Sequence, residues 1–148
     1  MISNKIYGLI FCIFLTSCYF GANESKVQII KNFYLVSWDE RDWIAYNTDD
    51  KSIYVDEKIV IGHDVFAIGN NDDFIIVKQH PCENKELHFM DYDSLKPNKA
   101  ITNYYIIDIR AKNYKIHCFY NSLDFNKGRS RLGVPNSLRY KFYDNVIE

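Results

Sequence analysis

The sequence lacks the short motifs that mark the common catalytic classes. It contains no Gly-x-Ser-x-Gly nucleophile turn, no Gly-rich phosphate loop and no His-Glu-x-x-His zinc motif. Internal repeats and low-complexity segments are also absent from it. Because a catalytic triad is assembled in space rather than along the chain, a small hydrolase stays an alternative that no sequence feature supports.

Also missing is an apolar run long enough to cross a bilayer, which takes about 20 residues. The longest candidate is Ile6–Leu15, which follows the basic residue Lys5 and precedes the small residues Thr16 and Ser17. A basic start, a short apolar segment and small residues before a cleavage site are typical of a secretory signal peptide. We therefore expect residues 1–17 to be a signal that is removed.

The end of this segment, Leu15-Thr16-Ser17-Cys18, resembles the lipobox of bacterial lipoproteins. The resemblance implies that Cys18 receives a diacylglycerol and becomes the anchored N-terminus. Residues 18–26 are then a tether and residues 27–148 a single globular domain. By analogy with the sorting rule of enteric bacteria, Tyr19 in place of aspartate favours the outer membrane, on its periplasmic side. The expected membrane contact is through this lipid alone.

Cysteine is scarce, with four residues in the whole chain. Cys12 leaves with the signal and Cys18 takes the lipid, so Cys82 and Cys118 remain in an oxidising compartment. Two alternatives follow for this pair. The two residues form a disulfide, or they stay two separate thiols.

A metal site is the other use that cysteine could have. His80, Cys82, His117 and Cys118 are all residue types that bind zinc. If residues 115–120 form a strand, however, His117 and Cys118 point to opposite faces of it. Pro81 also interrupts the other pair. We therefore expect no metal and no other cofactor.

Aromatic and apolar residues are abundant instead, at 16% and 47% of the chain, and they exclude a disordered protein. The two most apolar strand patterns, Phe74–Val77 and Tyr104–Ile109, predict adjacent central strands. One helix is predicted at about 121–132. Asn121 or Ser122 begins it, and Gly133 ends it as a left-handed cap. The predicted fold is β-rich α+β, a mostly antiparallel sheet with one helix in its C-terminal half. Further strand patterns lie at 33–38, 43–46, 53–55, 58–61, 65–68, 87–92 and 138–143.

The segment Val65–Val134 resembles a family of small, mostly bacterial lipoproteins that carry a domain of unknown function. The resemblance rests on Phe-Ile-Ile-Val-Lys-Gln-His-Pro at 74–81 and Asn-Tyr-Tyr-Ile-Ile-Asp at 103–108, with Ala-Ile-Gly at 67–69 and Arg-Leu-Gly-Val at 131–134. It implies a lipoprotein with no established activity and supplies no catalytic residue.

The charges are nearly balanced overall but unevenly placed. Asp39–Asp93 holds 14 acidic and 5 basic residues, whereas Lys112–Lys141 holds 7 basic and 1 acidic. Two solvated faces, or a basic end that meets lipid phosphates or an acidic partner, both fit this pattern. Nucleic acid is not an expected partner of an exported chain.

The function expected from these features is a non-catalytic binding module in the bacterial envelope, with a possible protein partner there. Lys78, Gln79 and His80, at the end of the central strand, form the candidate partner surface. The alternatives are a small envelope hydrolase and an immunity-type lipoprotein that blocks a toxin.

Overall fold

A computed structural model describes residues 24–38, 41–47, 57–82 and 96–142. These residues form two antiparallel sheets and one helix, which confirms the predicted β-rich α+β class. The prediction was of one sheet, whereas the described residues form two. The first sheet contains β1 (Glu24–Ile30), β2 (Phe33–Trp38), β3 (Arg41–Asn47) and β4 (Glu57–Ile61). The second contains β5 (Val65–Asn70), β6 (Phe74–Gln79), β7 (Asn103–Asp108), β8 (Lys115–Phe119) and the short β9 (Lys141–Phe142), and the helix is α1 (Ser122–Leu132).

The strand order is β1-β2-β3-β4 in the first sheet and β8-β7-β6-β5-β9 in the second. The predicted pairing of the two most apolar strands is confirmed, because β6 and β7 are hydrogen-bonded neighbours with Ile76 opposite Ile106. β6 and β7 each have a neighbouring strand on both sides, so neither is an edge strand of the second sheet.

Two hydrophobic cores lie on opposite faces of the second sheet. The core between the sheets contains Leu35 and Ile44 from the first sheet and Ile75 and Val77 from β6. The core beneath the helix contains Phe74 and Ile76 from the same strand, with Phe125 of α1. Alternation along β6 therefore sends successive side chains into different cores, which explains why that strand is apolar at every one of these positions.

The helix begins and ends where the sequence predicts. The Asn121 side chain accepts a hydrogen bond from the backbone N–H of Asp124, and Gly133 closes the helix with φ 76. Gly128, which lowers intrinsic helix propensity, is buried against the Phe119 ring. A Cβ there would come within 2.3 Å of that ring, so the glycine allows α1 to lie close to β8.

Several strand boundaries differ from the prediction. β1 begins at Glu24, so the last three residues of the predicted 18–26 tether belong to a strand. Of the described part of the predicted strand 138–143, only Lys141–Phe142 pairs as a strand. The preceding segment crosses close over Gly69: a Cβ added to that glycine would lie 2.2 Å from the Arg139 carbonyl oxygen. The predicted strands at 53–55 and 87–92 lie outside the described residues. Within the described ranges, no helix has the length and apolar character needed to span a membrane.

Candidate functional site

Polar side chains collect at two opposite ends of the sheets. Because all strands are antiparallel, their connections alternate between the same two ends. We call the end that holds Asp42, His63, Asp64 and Cys82 the carboxyl end, after its aspartate side chains and not after the C-terminus of the chain. The other is the lysine end, where a cleft is lined by Lys31, Asn32, Phe33, Tyr46, Ile109, Ala111, Lys112 and Tyr114.

At the carboxyl end, side chains from separate segments hydrogen-bond to one another. The Cys82 thiol donates to Asp64 Oδ2 at 3.1 Å, and the Ser37 hydroxyl donates to an Asp42 carboxylate oxygen. Asp64 has φ 66, a left-handed conformation that aspartate tolerates better than most residues. It stands just before β5, and the turn therefore places its carboxylate beside the chain that leaves β6.

Burial shifts the pKa values of Asp42, His63 and Cys82, at the carboxyl end, toward their neutral forms. Burial raises the pKa of Asp42, with a further contribution from the charge of Asp64. Burial lowers the pKa of His63. Burial, followed by the hydrogen bond to Asp64, raises the pKa of the Cys82 thiol to about 12. A thiol with that pKa is protonated at neutral pH, so Cys82 is not an activated nucleophile.

Gln79 corrects the predicted partner surface. Its side chain is only 9% exposed, and it joins the two sheets at the carboxyl end. Its Nε2 donates to the His63 carbonyl oxygen at 2.9 Å, while its Oε1 accepts from the Tyr105 hydroxyl at 2.7 Å. The sequence predicted Gln79 to be part of a partner surface, but its amide is part of a buried hydrogen-bond network.

The neighbours of Gln79 lie elsewhere. Lys78 faces the helix side, with its ammonium 4.6 Å from the centre of the Tyr140 ring. His80 stacks on Phe66 with 4.2 Å between ring centres, and its Nδ1 lies 2.8 Å from the Ile101 carbonyl oxygen. Because consecutive strand residues point to alternate faces, Gln79 faces away from Lys78. These three predicted residues therefore do not form one surface.

The two remaining cysteines are separate thiols in the structure, the second of the predicted alternatives. Cys82 is half-buried beside Asp64, and Cys118 is exposed on β8. Asp64, the contact of Cys82, precedes β5. β5 lies three strand spacings, or about 14 Å, from β8, which carries Cys118. A disulfide needs Cα atoms within about 7 Å, so a bond between these residues would require the backbone to move.

The predicted zinc-type residues are dispersed. His117 stands opposite Ile106 in the β7–β8 register and Cys118 opposite Tyr105, so the two point to different faces. Over the ranges that the structure describes, no three His, Cys, Asp or Glu side chains converge as a metal site would require.

The cleft at the lysine end has a volume of about 170 Å³ and lies where the β1–β2 turn meets the segment between β7 and β8. Its base is aromatic, because the rings of Phe33, Tyr46 and Tyr114 pack with centres 4.9–5.1 Å apart. Sequence reasoning missed this site, since its residues come from three distant segments. The basic composition after Lys112 was the one available signal.

The described residues form a β-rich α+β domain with clustered polar side chains at both ends of its sheets. The family model described as protein of unknown function (DUF3997) matches residues 30–146, and the chain therefore belongs to that family. The match bears out the expected family of an uncharacterised domain. No curated protein and no solved structure matches the chain.

Proposed function

We propose that this protein is a bacterial cell-envelope lipoprotein, anchored through Cys18, whose domain is a non-catalytic binding module. The lipobox-like segment Leu15–Cys18 supports the anchor. The family match covers the domain and supplies no activity that would argue for catalysis. The proposed site of residence is the outer membrane, with the domain in the periplasm.

The protonation state of the carboxyl end carries the non-catalytic part of the proposal. Nucleophilic catalysis by a cysteine needs a thiol whose pKa is lowered, because the thiolate is the form that attacks. Here the pKa of Cys82 is raised to about 12, and the thiol donates its hydrogen bond to a carboxylate. The same burial that shifts these groups also fixes their positions, which is what a structural cluster requires.

The position of β1 gives the anchored domain an orientation. Glu24 begins β1 six residues after Cys18, a stretch that reaches at most about 20 Å when extended. β1 starts at the carboxyl end and runs toward the lysine end, about 20 Å away at its usual rise per residue. This supports an orientation in which the lipid attaches beside the carboxyl end and the lysine end faces away from the membrane.

Metabolic labelling with a fatty-acid analogue, followed by intact-mass measurement, tests the anchor. Wild-type protein should carry the label and begin at Cys18. The Cys18→Ser variant should lose the label, because the acceptor thiol is gone. Cys12→Ser is the matched control, since it removes a cysteine of the signal and should leave labelling unchanged. An unlabelled wild type with a different N-terminus would refute the proposal.

A further inference from the structure

Of the described residues that line the lysine cleft, two are lysines and none is a carboxylate. Lys31 Nζ donates to the carbonyl oxygens of Ile109 at 3.1 Å and Asp72 at 3.3 Å, both neutral acceptors. Neither Lys31 nor Lys112 forms an ion pair with a carboxylate in the described ranges. An ammonium has three donors, so Lys31 retains one beyond these two bonds.

Asp108, which directly precedes the cleft residue Ile109, is paired with its own cation. Arg110 lies 2.6 Å from Asp108, and its hydrogen bonds hold the pKa of that carboxyl below its usual range. A third ammonium, from Lys58, lies 5.9 Å from the centre of the Tyr114 ring. The described charged side chains that line the cleft or lie near its rings in these contacts are therefore lysines.

A buried hydroxyl adds an independent observation. Tyr114 lines the cleft, and its hydroxyl is buried with no hydrogen-bond partner among the described residues. Buried polar groups in folded proteins nearly always have a partner, so an exception needs an explanation. A ligand that accepts a hydrogen bond from this hydroxyl would supply one.

The β1–β2 turn positions Lys31. Lys31 has φ 49, and lysine rarely adopts this left-handed conformation. The two-residue turn of the β1–β2 hairpin, with Ile30 paired to Phe33, requires such a conformation. Here the conformation accompanies the two carbonyl contacts that fix the Lys31 ammonium at the edge of the cleft.

We infer that the lysine cleft binds a small molecule from solution that carries a carboxylate or phosphate group on a compact apolar body. The oxyanion accepts from the Lys31 and Lys112 ammonium groups and from the Tyr114 hydroxyl, and the body rests on Phe33 and Tyr46. The volume suffices, because an apolar cavity of about 150 Å³ accommodates benzene. This inference rests on the proposed non-catalytic binding role and is independent of the anchor.

Calorimetric titration of the full lipidated chain in a neutral detergent tests the inference. Benzoate and phenyl phosphate are the probes, benzamide is the uncharged match for benzoate, and glycerol phosphate represents a lipid headgroup. We expect saturable binding of both aromatic anions and none of benzamide. Equal affinity for benzamide, or binding of glycerol phosphate alone, would overturn the inference.

Three variants locate the binding. Tyr114→Phe should weaken binding by about tenfold, the usual consequence of losing a hydrogen bond to a charged group. Lys112→Ala should weaken it a few-fold, because that side chain is exposed. Lys127→Ala, on the exposed face of α1, should bind as the wild type does. An unchanged urea midpoint for Tyr114→Phe would show that the loss is not unfolding.

The outcomes separate this inference from the proposed function. Absence of saturable binding by either anion would overturn the cleft as a site and leave the anchor untouched. Release of phenol from phenyl phosphate would contradict the non-catalytic role, whereas anion binding would stand.

Discussion

Both ends of the sheets hold polar groups, and the two ends use them differently. At the carboxyl end, Gln79 satisfies a tyrosine hydroxyl and a backbone carbonyl, and Asp64 accepts from Cys82. At the lysine end, Lys31 and Lys112 have no carboxylate partner among the described residues, and the Tyr114 hydroxyl has no acceptor there. We call the carboxyl end closed because these named side chains bond to its own groups, and the lysine end open because Lys31, Lys112 and Tyr114 retain donors for a molecule from outside.

This difference shows why a shifted pKa alone is a poor guide to function here. The carboxyl end has the largest set of clustered pKa shifts, but each shift has burial as its main cause and favours the neutral form, which for Cys82 is the unreactive thiol. The lysine end is better suited to binding because two carbonyl oxygens hold the Lys31 ammonium in place and leave it a further donor.

The largest expected effect concerns the core that both ends share. Ile76→Asp should abolish cooperative folding, because Ile76 is fully buried and an unpaired carboxylate would be placed in the core beneath the helix. Ile116→Asp is the matched control on edge strand β8, where the side chain is 44% exposed, and it should cost about 1 kcal/mol. Circular dichroism and urea unfolding give the answer. A folded Ile76→Asp variant would contradict the placement of β6.

The next effect distinguishes the two ends directly. Gln79→Ala should lower the free energy of unfolding by about 1–3 kcal/mol, because it leaves the Tyr105 hydroxyl and the His63 carbonyl without their acceptor and donor. Lys112→Ala, at the lysine end, should change it by less than about 0.5 kcal/mol. Urea unfolding at neutral pH measures both. Equal losses in the two variants would remove the distinction between a closed and an open end.

The sequence predicts the elements of this fold better than its sites. Apolar runs identify β6 and β7, and Asn121 and Gly133 mark the ends of the helix, because these signals are local. β1 is harder to predict, since Val27 is 52% exposed and the strand lacks a strong apolar face. The separation into two sheets depends on which faces meet, and no local pattern records that.

The candidate sites depend on contacts between distant segments. Gln79 resembles a solvated strand end in the sequence, and only the approach of residue 63 from another connection buries its amide. The lysine cleft combines a turn at Lys31 with a loop near Lys112, about 80 residues later. The spacing of these residues along the chain predicts neither contact.

A smaller effect appears at alkaline pH. An unfolded Cys82 ionises near its ordinary pKa of 9.0, whereas the folded thiol has a pKa of about 12. The folded state then binds more protons between these values, so stability should fall as pH rises through 9 toward 12. Urea midpoints at pH 7.5 and pH 10, under reducing conditions, should show a smaller alkaline loss in Cys82→Ala than in the wild type.

Cys118→Ala is the control for this measurement, because Cys118 is exposed on β8. It should lose stability at alkaline pH as the wild type does. If Cys82→Ala and the wild type lost the same amount, the raised pKa of Cys82 would not contribute to the alkaline loss.

The most direct test of the difference between the ends is one chemical change made at both. Tyr105→Phe removes a hydroxyl that donates to Gln79, and it should lower the free energy of unfolding by about 1 kcal/mol. Tyr114→Phe removes a buried hydroxyl without a partner in the described structure, so it should leave stability unchanged or raise it by up to about 1 kcal/mol. Urea unfolding of both variants without ligand decides. Opposite or clearly unequal changes are predicted, and a loss at Tyr114 as large as that at Tyr105 would contradict an open lysine end.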